Sequence, residues 1–124
     1  MIFGIGIDII EVERINKQIM KETGFIEKIF TIKEREYCES HKNKAQNYAA
    51  RFAAKEAFFK AAGTGWRGGM AFHEVEVIND ELGKPRLNLY GKTRRFIESQ
   101  GITNLHVSLS HIRDMASSIV IIEK

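Results

Sequence analysis

The 124-residue chain has one cysteine, one proline and one tryptophan. A single cysteine, Cys38, excludes an internal disulfide and leaves no thiolate cluster for zinc. It lies in a helical stretch and reads as a small packing residue, not a nucleophile. A membrane span needs ~20 apolar residues, and no segment approaches that length. No charged leader precedes a long apolar region, so a secretory signal is not expected and the chain reads as cytoplasmic. Internal repeats, linkers and low-complexity segments are absent. With 28% charged and 44% hydrophobic residues, the composition is that of a globular chain and argues against disorder. The expectation is one domain, residues 1–124, with its own core. The net charge of +3 and pI near 9.1 fit an acidic partner, whether phosphate, nucleic acid or an acidic protein, without choosing among them.

Tyr48 to Ala62 contains no proline, no glycine and no β-branched residue, and much of it is alanine, so it is expected to be helical. Gly63 stands where a C-terminal cap belongs. At roughly 100° per residue, Arg51 and Lys55 share one stripe, and Glu56 and Lys60 share another. Tyr48, Phe52 and Phe59 form an aromatic ridge between them, with alanines over much of the remaining surface. A helix this apolar is expected to be largely buried. Glu56 then sits beside a core and needs a cation. The simplest partner is Lys60 at i,i+4, worth ~0.2–0.5 kcal/mol.

Ile2 to Ile10 reads as a strand interrupted by Gly4 and Gly6, which mark a close backbone approach. Asp8 breaks the apolar run near its end. Val12, Ile15 and Ile19 have helical spacing, with Arg14, Lys17 and Lys21 elsewhere on the surface and Gly24 as the stop. Phe25 to Phe30 is a short helical piece. Thr31 with Glu34 matches a capping box, which makes Glu34 structural first. A helix through Tyr37 and a polar loop, His41 to Lys44, lead into the alanine-rich helix. Trp66 to Met70 is a glycine-rich connection against which Trp66 is expected to pack. Glu74 to Ile78 and Arg86 to Tyr90 form a hairpin around Gly83, Lys84 and Pro85. Lys92 to Ser99 is a helix. Leu105 to Ser110 alternates as a strand, His111 to Met115 turns, and Ser117 to Glu123 is the last strand. The class is α+β, a mostly antiparallel sheet with helices packed on one side.

Asp8 and Glu56 are carboxylates in otherwise apolar elements. Brought together they would repel, and one would protonate, unless a cation joined them. Two carboxylates completed by water and substrate phosphate oxygens suit Mg²⁺, which rarely takes an all-protein cage. Arg51, Lys55, Lys60 and the Gly63-Thr64-Gly65 segment are candidate phosphate contacts. This Gly-Thr-Gly follows a helix instead of opening one, so it is not a P-loop. His111 ends a strand at a turn. His41, His73 and His106 carry no comparable signal.

Several motifs occur in order: Gly4-Ile5-Gly6-Ile7-Asp8 before a helix, and Phe30-Thr31 with Glu34. Then come Arg51-Phe52-Ala53-Ala54-Lys55-Glu56-Ala57 with Lys60 and Gly63-Thr64-Gly65, Gly83-Lys84-Pro85, and Val107 to His111. Together they resemble the small 4'-phosphopantetheinyl transferases of the holo-acyl-carrier-protein synthase family, over essentially the whole chain. The resemblance implies the family's fold and a Mg²⁺-dependent transfer of phosphopantetheine from coenzyme A to a serine of apo acyl carrier protein. Adenosine 3',5'-bisphosphate would be released, in support of fatty acid biosynthesis. It implies Asp8 and Glu56 as the metal ligands, and Asp8, Glu56 and Lys60 as the catalytic set. Lys60, Gly63, Gly65 and Ser110 would contact the coenzyme, and Arg51 and His111 would meet the 3'-phosphate. Lys84 and Pro85 would line the adenine from a neighbouring subunit, because the family assembles as homotrimers. The helix bearing Arg14, Lys17 and Lys21 would dock the carrier's acidic helix, with Lys28 adding charge. The attacking hydroxyl belongs to the carrier, so the absence of a Cys/His or Ser/His/Asp arrangement is expected. Glu56 through a metal-bound water is the first candidate for the general base and Glu34 a distant second. Neither nucleic acid nor membrane is implied.

Two alternatives stand beside this. A small basic RNA-binding domain accounts for the pI and mixed fold but gives no reason for Asp8 and Glu56, and the chain lacks an exposed aromatic strand signature. A metal-dependent nucleotide pyrophosphatase would share the metal site and differ in the acceptor.

Overall fold

In the computed structural model, which describes residues 1–65 and 69–124, the chain opens with β1 (Ile2–Glu11). The helices α1 (Val12–Met20), α2 (Phe25–Ile29), α3 (Ile32–Glu39) and α4 (Lys44–Ala62) follow. Then come β2 (Val75–Asn79), β3 (Pro85–Leu89), α5 (Gly91–Ser99), β4 (Asn104–His111) and β5 (Met115–Glu123). The class is α+β, as expected. The strands divide between two antiparallel sheets, a three-stranded β1-β5-β4 and a β2-β3 ribbon.

The alanine-rich run organises both. α4 begins at Lys44, four residues before Tyr48, and stops at Gly63, whose φ of 77° is a left-handed cap. Its small residues let β1 approach the helix backbone directly. A Cβ on Gly4 would fall onto the carbonyl of Ala61, and one on Gly6 onto that of Ala57. The two glycines therefore do not interrupt the strand. They form its seam with the helix, and β1 runs through them with one register irregularity between Ile2 and Gly4. Asp8 and Ile10 follow on the same alternating face. Ile5, Ile7 and Ile9 point the other way and are exposed.

The expected aromatic ridge splits into two contacts. Phe52 and Phe59 hold Phe72 at centroid distances of 5.5 and 5.6 Å, while Tyr48 packs on Phe30 at 4.8 Å. The Thr31 capping box forms as read: Thr31 Oγ1 accepts from the Glu34 N–H and Glu34 accepts from the Thr31 N–H. Cys38 is fully buried, and burial pushes its thiol up to about 12.

Some element ends shift for identifiable reasons. α1 stops at Met20, and Gly24, at φ 86°, opens α2 instead of closing α1. Glu74 lies in a 3-10 turn, Phe72–Glu74, and not in a strand. Its carboxylate accepts from Lys92 N, Thr93 N and Thr93 Oγ1, and so caps α5. β4 extends through His111, which shortens the expected turn to residues 112–114. The expectation for Trp66 falls outside the described residues.

Candidate active site

Three lysines of α4 each find a carboxylate from another element: Lys44 meets Glu39 on the surface at 3.4 Å, and Lys55 and Lys60 lie further along the helix on different stripes. At the C-terminal half, Lys60 Nζ lies 3.0 Å from Asp8 Oδ1 and 3.0 Å from the Ile7 carbonyl oxygen. Glu56 is half-buried beside this pair. Burial first, and the Asp8 charge second, hold its carboxyl above the ordinary range, with Lys60 opposing them. The structure thus brings Asp8, Glu56 and Lys60 together. The simple Glu56–Lys60 pair is not what forms, because β1 offers Lys60 two acceptors at once. Lys60 stays about half exposed at 54% and Asp8 at 16%, so the cluster opens to solvent.

At the N-terminal half, Lys55 is not a phosphate contact. It is completely buried and donates to Glu34 Oε1 at 2.7 Å, Val75 O at 2.6 Å and Phe72 O at 3.0 Å. Burial lowers its pKa, and Glu34 pulls it back up. Glu34 also accepts from Val77 N at 2.8 Å and is itself buried, which leaves it no route to a proton on a ligand.

Arg51, one turn before Lys55, lines a cleft of about 520 Å³ with Lys33, Tyr37, Asn79 and Gly83. Its guanidinium lies 4.0 Å over the Tyr37 ring, and Nη2 donates to Asn79 Oδ1 at 2.6 Å. Arg51 Nε is buried and, among the described residues, meets no acceptor. A buried guanidinium with a spare donor suits a planar or phosphate oxygen. Asp80 and Glu81 share the lining, and Asp80 Oδ1 is held within the hairpin turn by Leu82 N and Lys84 N. Lys84 is exposed at that turn and Pro85 opens β3.

Gly63 and Gly65 adopt φ of 77° and 59°, with open space where a Cβ would be. Ser110 and His111 are exposed at the end of β4 and do not line the Arg51 cleft. Arg14, Lys17 and Lys21 are exposed along α1 while Val12 and Ile15 are buried.

Asn79 and Tyr37, which hold Arg51, carried no sequence signal, because both are ordinary residues of a strand end and a helix. The partnership of Glu34 with Lys55 had a signal: a capping-box glutamate and a lysine on a helix expected to be buried.

Asp8 and Glu56 also fit a divalent cation. Among the described residues no group of three or more His, Cys, Asp or Glu side chains could hold a metal. An all-protein cage is thus absent there, and two neighbouring carboxylates open to solvent suit Mg²⁺ with water and phosphate completing the shell.

Comparison with known proteins places the chain in a family. The model of the 4'-phosphopantetheinyl transferase superfamily matches residues 4–113. The chain is 47% identical over 125 residues to a holo-[acyl-carrier-protein] synthase of Geobacter metallireducens, covering 100% of this chain and 99% of that protein. The holo-[acyl-carrier-protein] synthase of Neisseria meningitidis superposes with a TM-score of 0.92 at 37% identity, covering 100% of both chains. A holo-(acyl-carrier-protein) synthase from Bacillus anthracis, solved in complex with CoA (3',5'-ADP), superposes at 0.83 with 40% identity, covering 100% of this chain and 98% of that one. The chain belongs to the 4'-phosphopantetheinyl transferase superfamily, in its holo-[acyl-carrier-protein] synthase family, and is a transferase.

Proposed function

We propose that this single-domain chain transfers the 4'-phosphopantetheine of coenzyme A to a serine of apo acyl carrier protein, with Mg²⁺, in the cytoplasm and in support of fatty acid biosynthesis. The observation that carries the reading is the Asp8–Glu56–Lys60 cluster: two carboxylates and one lysine, open to solvent, on the seam of β1 and α4. The carrier serine oxygen attacks the phosphorus attached to pantetheine. A new P–O bond forms, the pyrophosphate P–O bond breaks, and adenosine 3',5'-bisphosphate leaves with the electron pair. The serine proton passes to a base, for which Glu56 acting through a water is the first candidate. Mg²⁺ on Asp8 and Glu56 would neutralise charge on the pyrophosphate oxygens. Lys60, half exposed on a flexible stem, reaches the same oxygens, and Gly63 and Gly65 shape the turn beside them.

Arg51 is assigned to the 3'-phosphate, with Ser110 and His111 approaching from β4. Arg51 and Gly83 line one cleft of one chain. A coenzyme that reaches the hairpin of a neighbouring subunit therefore meets the partner subunit's Arg51 as well. A homotrimer gives this division a surface. The sheet face opposite α4 exposes Ile5, Ile7, Ile9 and Ile119 together, and a partner subunit would cover them. Arg14, Lys17 and Lys21 on α1 are the docking charges for the acidic carrier.

The test is intact-mass spectrometry of apo carrier protein incubated with the chain, coenzyme A and Mg²⁺. One added phosphopantetheine per carrier is the expected result. An unmodified carrier with cleaved coenzyme A would indicate a pyrophosphatase instead.

A further inference from the structure

The β2-β3 ribbon has two strands, and such a ribbon is marginal by itself. β3 pairs with one edge of β2, and among the described residues no strand pairs with the other. On that open edge two side chains take the place of a strand. Lys55 Nζ donates to the Val75 carbonyl, and the Val77 N–H donates to Glu34 Oε2. The same two side chains also satisfy Phe72 O and Thr31 N, so four backbone groups from three segments close on one ion pair.

A buried ion pair gives little stability that apolar residues of the same volume would not give. What it gives is a single geometry, because Glu34 Oε1 accepts from Thr31 N and Lys55, Oε2 accepts from Val77 N, and the ammonium donates to three separate oxygens. Glu76 on β2 adds to the fix, accepting from Thr31 Oγ1 at 2.5 Å and from Tyr90 Oη at 2.8 Å. Two residues beyond Val77, Asn79 accepts from Arg51 and donates from Nδ2 to Gly83 O at 2.9 Å. Arg51 and Lys55 are one turn apart on α4, and Asn79 and Val75 are four residues apart on β2. The ion pair and the Arg51–Asn79 bond are thus successive rungs between the same helix and the same strand.

We propose that Glu34 and Lys55 are positioning residues: they lock β2 to α4 so that Asn79 and the Gly83 turn hold Arg51 in one orientation, and they thereby set selectivity for the phosphate end of the coenzyme. This rests on the assignment of the Arg51 cleft to the 3'-phosphate. Neither residue touches the ligand. Their effect is transmitted through Val77 and Asn79, over a segment that would otherwise have an unpaired edge.

The experiment compares kcat/KM for coenzyme A and for dephospho-coenzyme A, which lacks only the 3'-phosphate. It uses wild type, Arg51→Ala, Glu34→Gln and Lys55→Met, each well below its unfolding temperature. Wild type should prefer coenzyme A by about tenfold or more, and Arg51→Ala should lose that preference. Glu34→Gln and Lys55→Met should cut the preference to within about threefold, through KM for coenzyme A, with kcat at saturation changed by less than about twofold. A residue that only stabilised the fold would leave the ratio of the two substrates unchanged. If Arg51→Ala keeps the wild-type preference, the cleft assignment itself is wrong. If Arg51→Ala loses it while Glu34→Gln and Lys55→Met keep it, the positioning role is overturned. Should neither variant fold, hydrogen exchange on the wild-type chain decides. Coenzyme A should slow exchange at the Val77 N–H more than dephospho-coenzyme A does, and equal protection by the two would overturn the proposal.

Discussion

Two of the lysine–carboxylate pairs on α4, Lys55–Glu34 and Lys60–Asp8, use the same chemistry in opposite surroundings. Lys55 and Glu34 are both 0% exposed at the side chain, and their polar atoms are engaged by backbone partners. Lys60 and Asp8 lie at a seam that water reaches, with a further carboxylate, Glu56, beside them. The first pair is closed and can only hold the protein to itself. The second is unbalanced, with two acids to one base, and can accept another cation and an anionic substrate. Exposure and charge count, more than residue type, decide which pair is structural and which is chemical.

The largest effect should come from truncating the closed pair. Lys55→Ala strands the Glu34 carboxylate in the core, which typically costs about 3–5 kcal/mol, whereas an exposed pair is worth roughly 0–1 kcal/mol. Chemical denaturation of Lys55→Ala and Lys60→Ala side by side should show that gap, and equal losses would erase the distinction between the pairs. Next is turnover. Asp8→Asn deletes a charge from the open cluster without changing its shape. Loss of even a supporting partner at a metal costs roughly 10–100-fold, so the Mg²⁺-dependent rate should fall by about a hundredfold with circular dichroism unchanged. A near-normal rate would remove Asp8 from the site.

Smaller again is the carrier surface, which lies apart from both pairs. Arg14→Glu should weaken carrier binding by about threefold to tenfold at low salt, less as salt rises, with coenzyme affinity unchanged. Binding measurements with each substrate check it, and equal losses for both would make Arg14 part of the fold. A last effect, confined to alkaline pH, concerns Cys38, behind the closed pair. The folded chain keeps the thiol proton up to about 12, against 9.0 in the ordinary thiol. The stability this represents is present below pH 9 and is lost as pH rises from there towards 12. Thermal unfolding across that window should fall less steeply in Cys38→Ala than in wild type. Identical slopes would remove Cys38 as the source.

Much of this was legible in the sequence, and the failures have physical causes. The Tyr48–Ala62 helix and its Gly63 cap were readable because propensity and a left-handed stop agree locally. Gly4 and Gly6 announced a close approach, though not that α4 was the element approaching. Asp8 and Glu56 stood out as acids in apolar segments. Lys55 was misread as a ligand contact because helical spacing gives the stripe a residue occupies and not what covers it. Here α3 and β2, distant in sequence, supply the cover. Asn79's grip on Arg51 spans 28 residues and leaves no periodic trace.

The central claim is that the open cluster takes a divalent cation and the closed pair does not. Mn²⁺ substitutes readily for Mg²⁺ at oxygen sites and can be followed by electron paramagnetic resonance. Titrating Mn²⁺ in the presence of coenzyme A into wild type, Asp8→Asn and Glu34→Gln puts the claim to a direct comparison. The account predicts one bound ion per chain in wild type and in Glu34→Gln, with binding weakened about tenfold or more in Asp8→Asn. Undiminished binding in Asp8→Asn would contradict it.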